Sequence, residues 1–347
     1  MAKIAQNQLY ALPLDIEPME AKLVDRLPRE EGWQFEPKWD GFRCVAFKSG
    51  SAVDLRAKSG KPLGRYFPEM LSLLSDLPVN QFVVDGELVI ESEGRLSFET
   101  LQMRLHPAES RIRKLAGTHP AKLVLFDVLA DSQGRSQLNQ PLEGRRTILE
   151  AMIGPFQSQK EFVLSPYTKD GELAEVWLSK SGSDGFDGVV CKRLDGPYAA
   201  GERAMIKVKR FRTADCVVGG FRYESRSDKV GSLLLGLYNE EGKLDHVGFT
   251  SSISDSERVA LTKQLEALRQ PPGFTGKKPG GPSRWSTERS GEWEPLKSKL
   301  VVEVRFDHVT GRRFRHGTTL LRWRPDKKPR QCGYEQIDQA IMADPTY

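Results

Sequence analysis

The stretch FEPKWDGFR, Phe35 to Arg43, sets a single lysine, Lys38, between a proline and an Asp-Gly pair inside a strand-like run. Pro37 fixes its own φ and turns Glu36 away from helix, while Asp40-Gly41 favours a tight turn. The backbone on both sides of Lys38 is therefore held and its side chain aimed. A solvating lysine rarely needs such framing, although a surface lysine beside a hairpin turn would look the same. A lysine that attacks phosphorus must first be unprotonated, and free lysine titrates at about pH 10.4. Desolvation or neighbouring cations would have to lower that value. Lys207 and Lys209, in MIKVKR, suit the second role: they alternate along a strand, with Ile206 and Val208 on its other face.

Two carboxylates accompany these amines. Glu87 in VVDGELVI and Asp187 in FDGVVCKR offer the oxygen ligands that a hard cation such as Mg²⁺ takes while it bridges to phosphate. The Asp85-Gly86 step leaves the direction of Glu87 open, and Asp187 also suits a structural turn. Phe126, in LVLFDVL, has the sequence context of a core aromatic. The five histidines have no metal-binding spacing and read as polar or structural, and the four cysteines are too far apart for a zinc knuckle or disulfide framework.

With 347 residues the chain is long enough for two domains with their own cores. No apolar run approaches the roughly 20 residues that span a bilayer, and the first residues lack a long apolar segment with a cleavage site. An intracellular protein without a membrane partner is expected. The net charge of +5 is unevenly placed: Arg312 to Arg330 holds eight basic residues against one acid, Asp326, and RAMIKVKRFR, residues 203–212, holds five basic residues and no acid. Such stripes suit a polyphosphate or nucleic acid, or a solvated face.

Short strand-like runs and turns alternate from Gln34 to Ile90, interrupted by a helix in which Phe67, Met70, Leu71 and Leu74 share one face. AKLVLFDVLA and FDGVVCKR read as buried strands, which makes the first part an α+β domain. Near Phe211 to Asp215 the pattern changes to three successive strands. A helix follows, with Ser254 and Glu257 at capping-box spacing and Leu261, Leu265 and Leu268 on one face. Residues 271–291 are rich in Gly and Pro and read as a mobile loop, and the strand KLVVEVRFDHVT then finishes a small barrel of OB-fold type.

Lys38 to Arg43 form a K-x-D-G-x-R motif, and VVDGELVI, LVLFDVL, FDGVVCKR, MIKVKR and RWRPDKKP follow it in order. This set resembles the covalent nucleotidyltransferases, and FDHVTGRRFRHGTTLLRWRPDK makes it most similar to the bacterial ATP-dependent DNA ligases of the C class. The resemblance implies a nucleotidyltransferase (adenylation) domain over residues 1–211 and an OB-fold domain over 212–347. It implies that Lys38 takes AMP from ATP, and that Glu36, Arg43, Phe126, Lys192, Lys207, Lys209, Arg324 and Lys327 bind the nucleotide. Phe126 would stack on adenine, Arg43 would lie near the ribose, and Arg324 and Lys327 would reach the β- and γ-phosphates. Glu87 and Asp187 would serve Mg²⁺ or Mn²⁺; the aspartate replaces a more usual glutamate and shortens the reach. Arg56, in DLRAKSGK, would grip the 5′-phosphate of a nick with its planar fork.

The expected substrate is nicked duplex DNA, and the expected setting is DNA repair in the bacterial cytoplasm, at the nucleoid. A monomer is expected, with other repair proteins as partners. No further DNA-binding domain is expected before residue 20, so encirclement of DNA would be partial, with helper proteins or the 271–291 loop compensating. The lysine motif also fits an RNA ligase or a GTP-using capping enzyme. A non-catalytic OB-fold DNA-binding protein would not need Lys38, Glu87, Lys207 and Lys209 together.

Overall fold

A computed structural model describes residues 9–156, 159–181, 186–280 and 292–342. The chain divides into two compact units, Met1–Arg210 and Phe211–Tyr347. No helix among the described residues is long and apolar enough to cross a membrane.

The first unit holds two sheets. One has four strands in the order β1-β10-β9-β2: β1 (Ala21–Val24), β10 (Met205–Val208), β9 (Phe186–Arg193) and β2 (Trp33–Trp39). The other runs β4-β3-β5-β7-β8, with β3 (Phe42–Ser49), β4 (Ala52–Ala57), β5 (Gln81–Ser92), β7 (Ala121–Ala130) and β8 (Phe162–Leu164), and the short β6 (Arg95–Leu96) pairs with β5. Helix α1 (Pro68–Asp76) begins with proline in its first turn and buries Met70 and Leu74 against this second sheet. Helices α2 (Phe98–Gln102), α3 (Glu109–Thr118), α4 (Leu142–Ile153) and α5 (Gly171–Lys180) complete the unit.

Alternation along β5 sends Val84, Leu88 and Ile90 into the core beneath α1 and leaves Asp85 and Glu87 on the opposite face. Asp85-Gly86 is therefore strand rather than turn. Gly86 is needed there because a Cβ would stand 2.6 Å from the Val124 carbonyl oxygen. A separate cluster, with Val45, Phe47 and Val83 from one sheet and Met205 and Tyr198 from the region of the other, fills the seam between the two sheets.

The second unit is built on β11 (Arg212–Tyr223), which pairs with β12 (Val230–Tyr238) on one side and β15 (Val301–Phe306) on the other; β13 (Leu244–Thr250) and β18 (Thr319–Trp323) form the edges. These edges meet at the isolated Thr250–Thr318 bridge instead of a full ladder, so the OB-type barrel is partly open. The short β14 (Glu294–Pro295) pairs with β11, and β16 (Val309–Thr310) pairs with β17 (Arg313–Phe314).

Helix α6 (Asp255–Glu266) buries Leu261 and Leu265, whereas Leu268 lies just past its end. Ser254 is its N-cap residue, but the capping box does not form: the Ser254 hydroxyl donates to Glu257 Oε2 at 2.8 Å instead of accepting from a backbone N–H. Helix α7 (Glu335–Met342) closes the described chain. Residues 271–280 form turns, and the rest of the expected loop lies outside the described residues. All four cysteines are buried free thiols.

Candidate active site

Lys38 sits where the β2–β9 register breaks. Pro37 pairs with Val189 and Trp39 with Phe186, so two residues of β9, Asp187 and Gly188, stand opposite Lys38 alone. Such a bulge re-aims the side chains beside it. Gly41, at the β2–β3 turn, permits a close approach, since a Cβ there would lie 2.2 Å from the Leu88 carbonyl oxygen. Lys38 Nζ lies 2.7 Å from Asp187 Oδ1, and Lys209 Nζ lies 2.8 Å from Asp187 Oδ2. Burial would raise the Asp187 carboxyl pKa, but the ammonium groups of Lys38 and Lys209 outweigh it and hold that carboxyl below its usual value.

A pocket opens at the seam of the two sheets, next to Lys38. From the first sheet it is lined by Glu36 and Lys38 of β2, Val190 and Lys192 of β9, and Met205 and Lys207 of β10, each pair two residues apart on one strand face. From the second sheet come Arg43, Glu87 and Phe126. Lys209 lies beyond the end of β10 and reaches Asp187 from there. Burial, and then the charges of Lys38 and Lys209, lower the Lys207 pKa.

Phe126 occupies a second register break: Asp85 pairs with Asp127 and Gly86 with Leu125, which leaves Phe126 as the extra residue of β7. Its ring lies 4.7 Å from the Arg43 guanidinium carbon and 4.6 Å from Lys192 Nζ. Such distances bring cations within cation–π range. Lys192 also pairs with Glu36 at 2.8 Å, and Gln34 Nε2 donates to the same carboxylate at 2.8 Å. Arg43 is turned onto Asp85 through Nε at 2.6 Å and Nη2 at 2.5 Å. Burial pushes the Glu87 carboxyl up to about 7, against the opposing pull of Arg43 and Lys38.

Arg56 lines a neighbouring cavity with Lys58, Ser59 and Lys61, and Lys58 borders both cavities. The Arg56 fork is held by Asp54 at 2.6 and 2.9 Å. In the second unit, Arg324 Nη1 and Lys327 Nζ converge on one carboxylate, Asp215 of β11, at 2.9 and 2.6 Å.

The chain matches the family profile of the ATP-dependent DNA ligase domain over residues 18–209. The ATP-dependent DNA ligase C-terminal region matches over residues 226–327. DNA ligase C1 of Mycolicibacterium smegmatis is 42% identical over 339 residues, covering 95% of each chain. The chain belongs to the ATP-dependent DNA ligases. DNA ligase C of Mycobacterium tuberculosis is 39% identical over 354 residues, 96% of each chain. The crystal structure of the ligase domain of M. tuberculosis LigD superposes with a TM-score of 0.50 at 28% identity, covering 92% of this ligase and 98% of that chain. Among the enzymes that share the lysine motif, the DNA ligases are the ones with which this chain groups.

The ligase also gathers residues that its sequence did not single out. Met19, Asp85 and Tyr198 adjoin Arg43, and Asp215 holds Arg324 and Lys327. Asp85 carried a signal, the i, i+2 spacing to Glu87, that turn-like Asp-Gly chemistry concealed. Among the described residues, no three His, Cys, Asp or Glu side chains converge as a protein-built metal cage would. Glu87 is instead a pocket carboxyl raised by burial, whereas the pocket's Glu36 is paired with Lys192 and its Glu20 with Lys58. That donor set fits a Mg²⁺-type ion, which commonly uses one or two carboxylates plus substrate phosphate oxygens.

Proposed function

We propose that the ligase seals 5′-phosphate/3′-hydroxyl nicks in duplex DNA through an AMP adduct on Lys38, with residues 1–211 as the adenylation domain and 212–347 as the OB-fold domain. The observation that carries this reading is the placement of Lys38 at a register break, in the wall of a pocket it shares with Glu36, Phe126, Lys192 and Lys207.

In the first step the neutral Lys38 Nζ attacks the α-phosphorus of ATP, a P–N bond forms as Nζ gives up a proton to solvent, and the bond to the bridging oxygen breaks to release pyrophosphate. Next, an oxygen of the 5′-phosphate attacks the same phosphorus, the P–N bond breaks, and Lys38 regains a proton. Finally the 3′-hydroxyl oxygen attacks the 5′-phosphorus, loses its proton, and displaces AMP. Splitting one condensation in this way is nucleophilic catalysis.

Lys207 and Lys209 neutralise phosphate oxygens. Phe126 stacks on adenine, Lys192 and its partner Glu36 hold the adenylate, and Arg43 faces the ribose. Arg56 takes the 5′-phosphate, and Arg324 and Lys327 orient the β- and γ-phosphates. A divalent cation, Mg²⁺ or Mn²⁺, supplies charge neutralisation on the phosphates when bound, and Glu87 and Asp187 are the residues that would hold it. We further assign the ligase to DNA repair at the nucleoid, as a cytoplasmic monomer working with other repair proteins.

The test is incubation with α-labelled ATP and Mg²⁺, followed by addition of a nicked duplex. The expected result is an acid-labile protein adduct on Lys38, discharged by the nick with sealing. Label that transfers to DNA without passing through the protein would overturn this reading.

A further inference from the structure

One wall of the nucleotide pocket comes from neither sheet. Pro18, Met19 and Glu20 line it, as part of a strap that runs alongside the segment before β10: Glu20 N donates to Glu202 O at 2.7 Å, and Gly201 N to Glu17 O at 3.0 Å. Side chains hold both backbone polar groups of Met19. Its N–H donates to Tyr198 Oη at 3.1 Å, and its C=O accepts from Arg43 Nη2 at 3.2 Å. These two side chains close on one carboxylate. Arg43 grips Asp85 in bidentate fashion, and Tyr198 Oη donates to Asp85 Oδ2 at 2.5 Å.

Asp85 is 0% and Tyr198 4% exposed, so water does not replace a lost partner. Tyr198 is itself fixed, with its N–H donating to Leu138 O at 2.8 Å and the Arg145 guanidinium 5.7 Å from its ring. Arg145 in turn is locked to Asp127, the neighbour of Phe126, at 2.7 Å.

We propose that Tyr198 is a positioning residue for the nucleotide: its hydroxyl, accepting from Met19 and donating to Asp85, fixes the strap of residues 18–20 as a wall of the pocket and steadies Arg43 beside Phe126. The inference rests on reading this pocket as the ATP site. A hydroxyl supplies one donor and spare acceptor capacity, and both are used here. Deleting the oxygen leaves the Met19 N–H buried without an acceptor, which favours release of the strap. A wall that must be ordered at binding weakens affinity without altering the reacting atoms.

The test compares wild-type ligase and Tyr198→Phe by amide hydrogen exchange and by self-adenylation kinetics. Expected are exchange at residues 17–21 at least about tenfold faster with β7 unchanged, and an ATP KM raised about 5- to 20-fold with kcat within about twofold. The double variant Tyr198→Phe/Asp85→Asn should raise KM by less than the product of the two single effects, because the two residues share one bond, although Tyr198 also holds Met19 and Asp85 also holds Arg43.

The proposal is overturned if KM stays within about twofold of wild type, whether or not the strap loosens, or if β7 and kcat deteriorate alongside the strap. If Tyr198→Phe does not fold, Asp85→Asn is judged by hydrogen exchange at residues 17–21 alone, because it also frees Arg43, and unchanged exchange there overturns the proposal. Wild-type protein that forms no AMP adduct would sink the ATP reading instead, leaving hydrogen exchange to judge the Tyr198 contact.

Discussion

Lys38 Nζ stands 2.7 Å from Asp187 Oδ1, and the other oxygen of that carboxylate is 2.8 Å from Lys209 Nζ. If Lys38 is the nucleophile, attack on phosphorus requires this pairing with Asp187 to be given up. Lys38→Ala should abolish the AMP adduct and leave DNA binding within about twofold, because only the nucleophile is lost. Asp187→Asn should slow self-adenylation by about tenfold or more, because the amine loses its orienting partner. Adduct yield against time measures both, and full-rate adduct formation in Lys38→Ala would falsify the assignment.

Phe126 lies beside two cations in the pocket. If the ring also stacks on adenine, Phe126→Ala should weaken ATP use by about 1–3 kcal/mol, the range for stacking of bases on aromatic side chains. ATP titration of the adenylation rate reads this directly. A lower melting temperature with unchanged ATP affinity would assign the ring to the core alone.

Arg324 and Lys327 share Asp215, a carboxylate that a triphosphate would have to replace. If they orient the leaving pyrophosphate, replacing both with Ala should cripple self-adenylation. Sealing of a nick adenylated beforehand should remain within about tenfold, with the salt dependence of DNA binding little changed. Normal adenylation with weaker, less salt-dependent DNA binding would assign the pair to DNA phosphates.

His246, on β13, is buried, accepts from Arg313 at Nδ1 (3.0 Å), and has no hydrogen-bond partner at Nε2 among the described residues. Burial, reinforced by Arg313 and Arg222, pulls its pKa down to about 3. The unfolded chain takes up this proton at about pH 6.5. Between these values the unfolded state binds more protons, so stability is full above about pH 6.5 and falls towards pH 3, by at most about 1.4 kcal/mol per pH unit from this group. His246→Asn, which keeps an acceptor for Arg313, should flatten that part of the profile in denaturant melts from pH 7 to pH 4. An unchanged slope would show that other groups carry it.

The sequence by itself determined the chemistry and the element types wherever the determining forces are local. Pro37 and Asp40-Gly41 frame Lys38 through turn geometry that acts over about four residues. The alternation of Lys207 with Ile206 and Val208 reads out directly as one pocket-lining side chain between two packed on the other face. Helix α1 followed from an apolar stripe at helical spacing.

Tertiary structure decided the rest, because it depends on which strand lies beside which. The Lys192–Glu36 pair spans 156 residues and the Tyr198–Asp85 bond 113, distances at which periodicity carries no information. The two register breaks that aim Lys38 and Phe126 exist only in the pairing of β2 with β9 and of β5 with β7. Asp85-Gly86 shows the limit most plainly. Its composition is that of a turn, but the carbonyl of Val124 lies so close that a glycine is required in mid-strand. The aspartate beside it is thereby delivered, fully buried, to Arg43 and Tyr198.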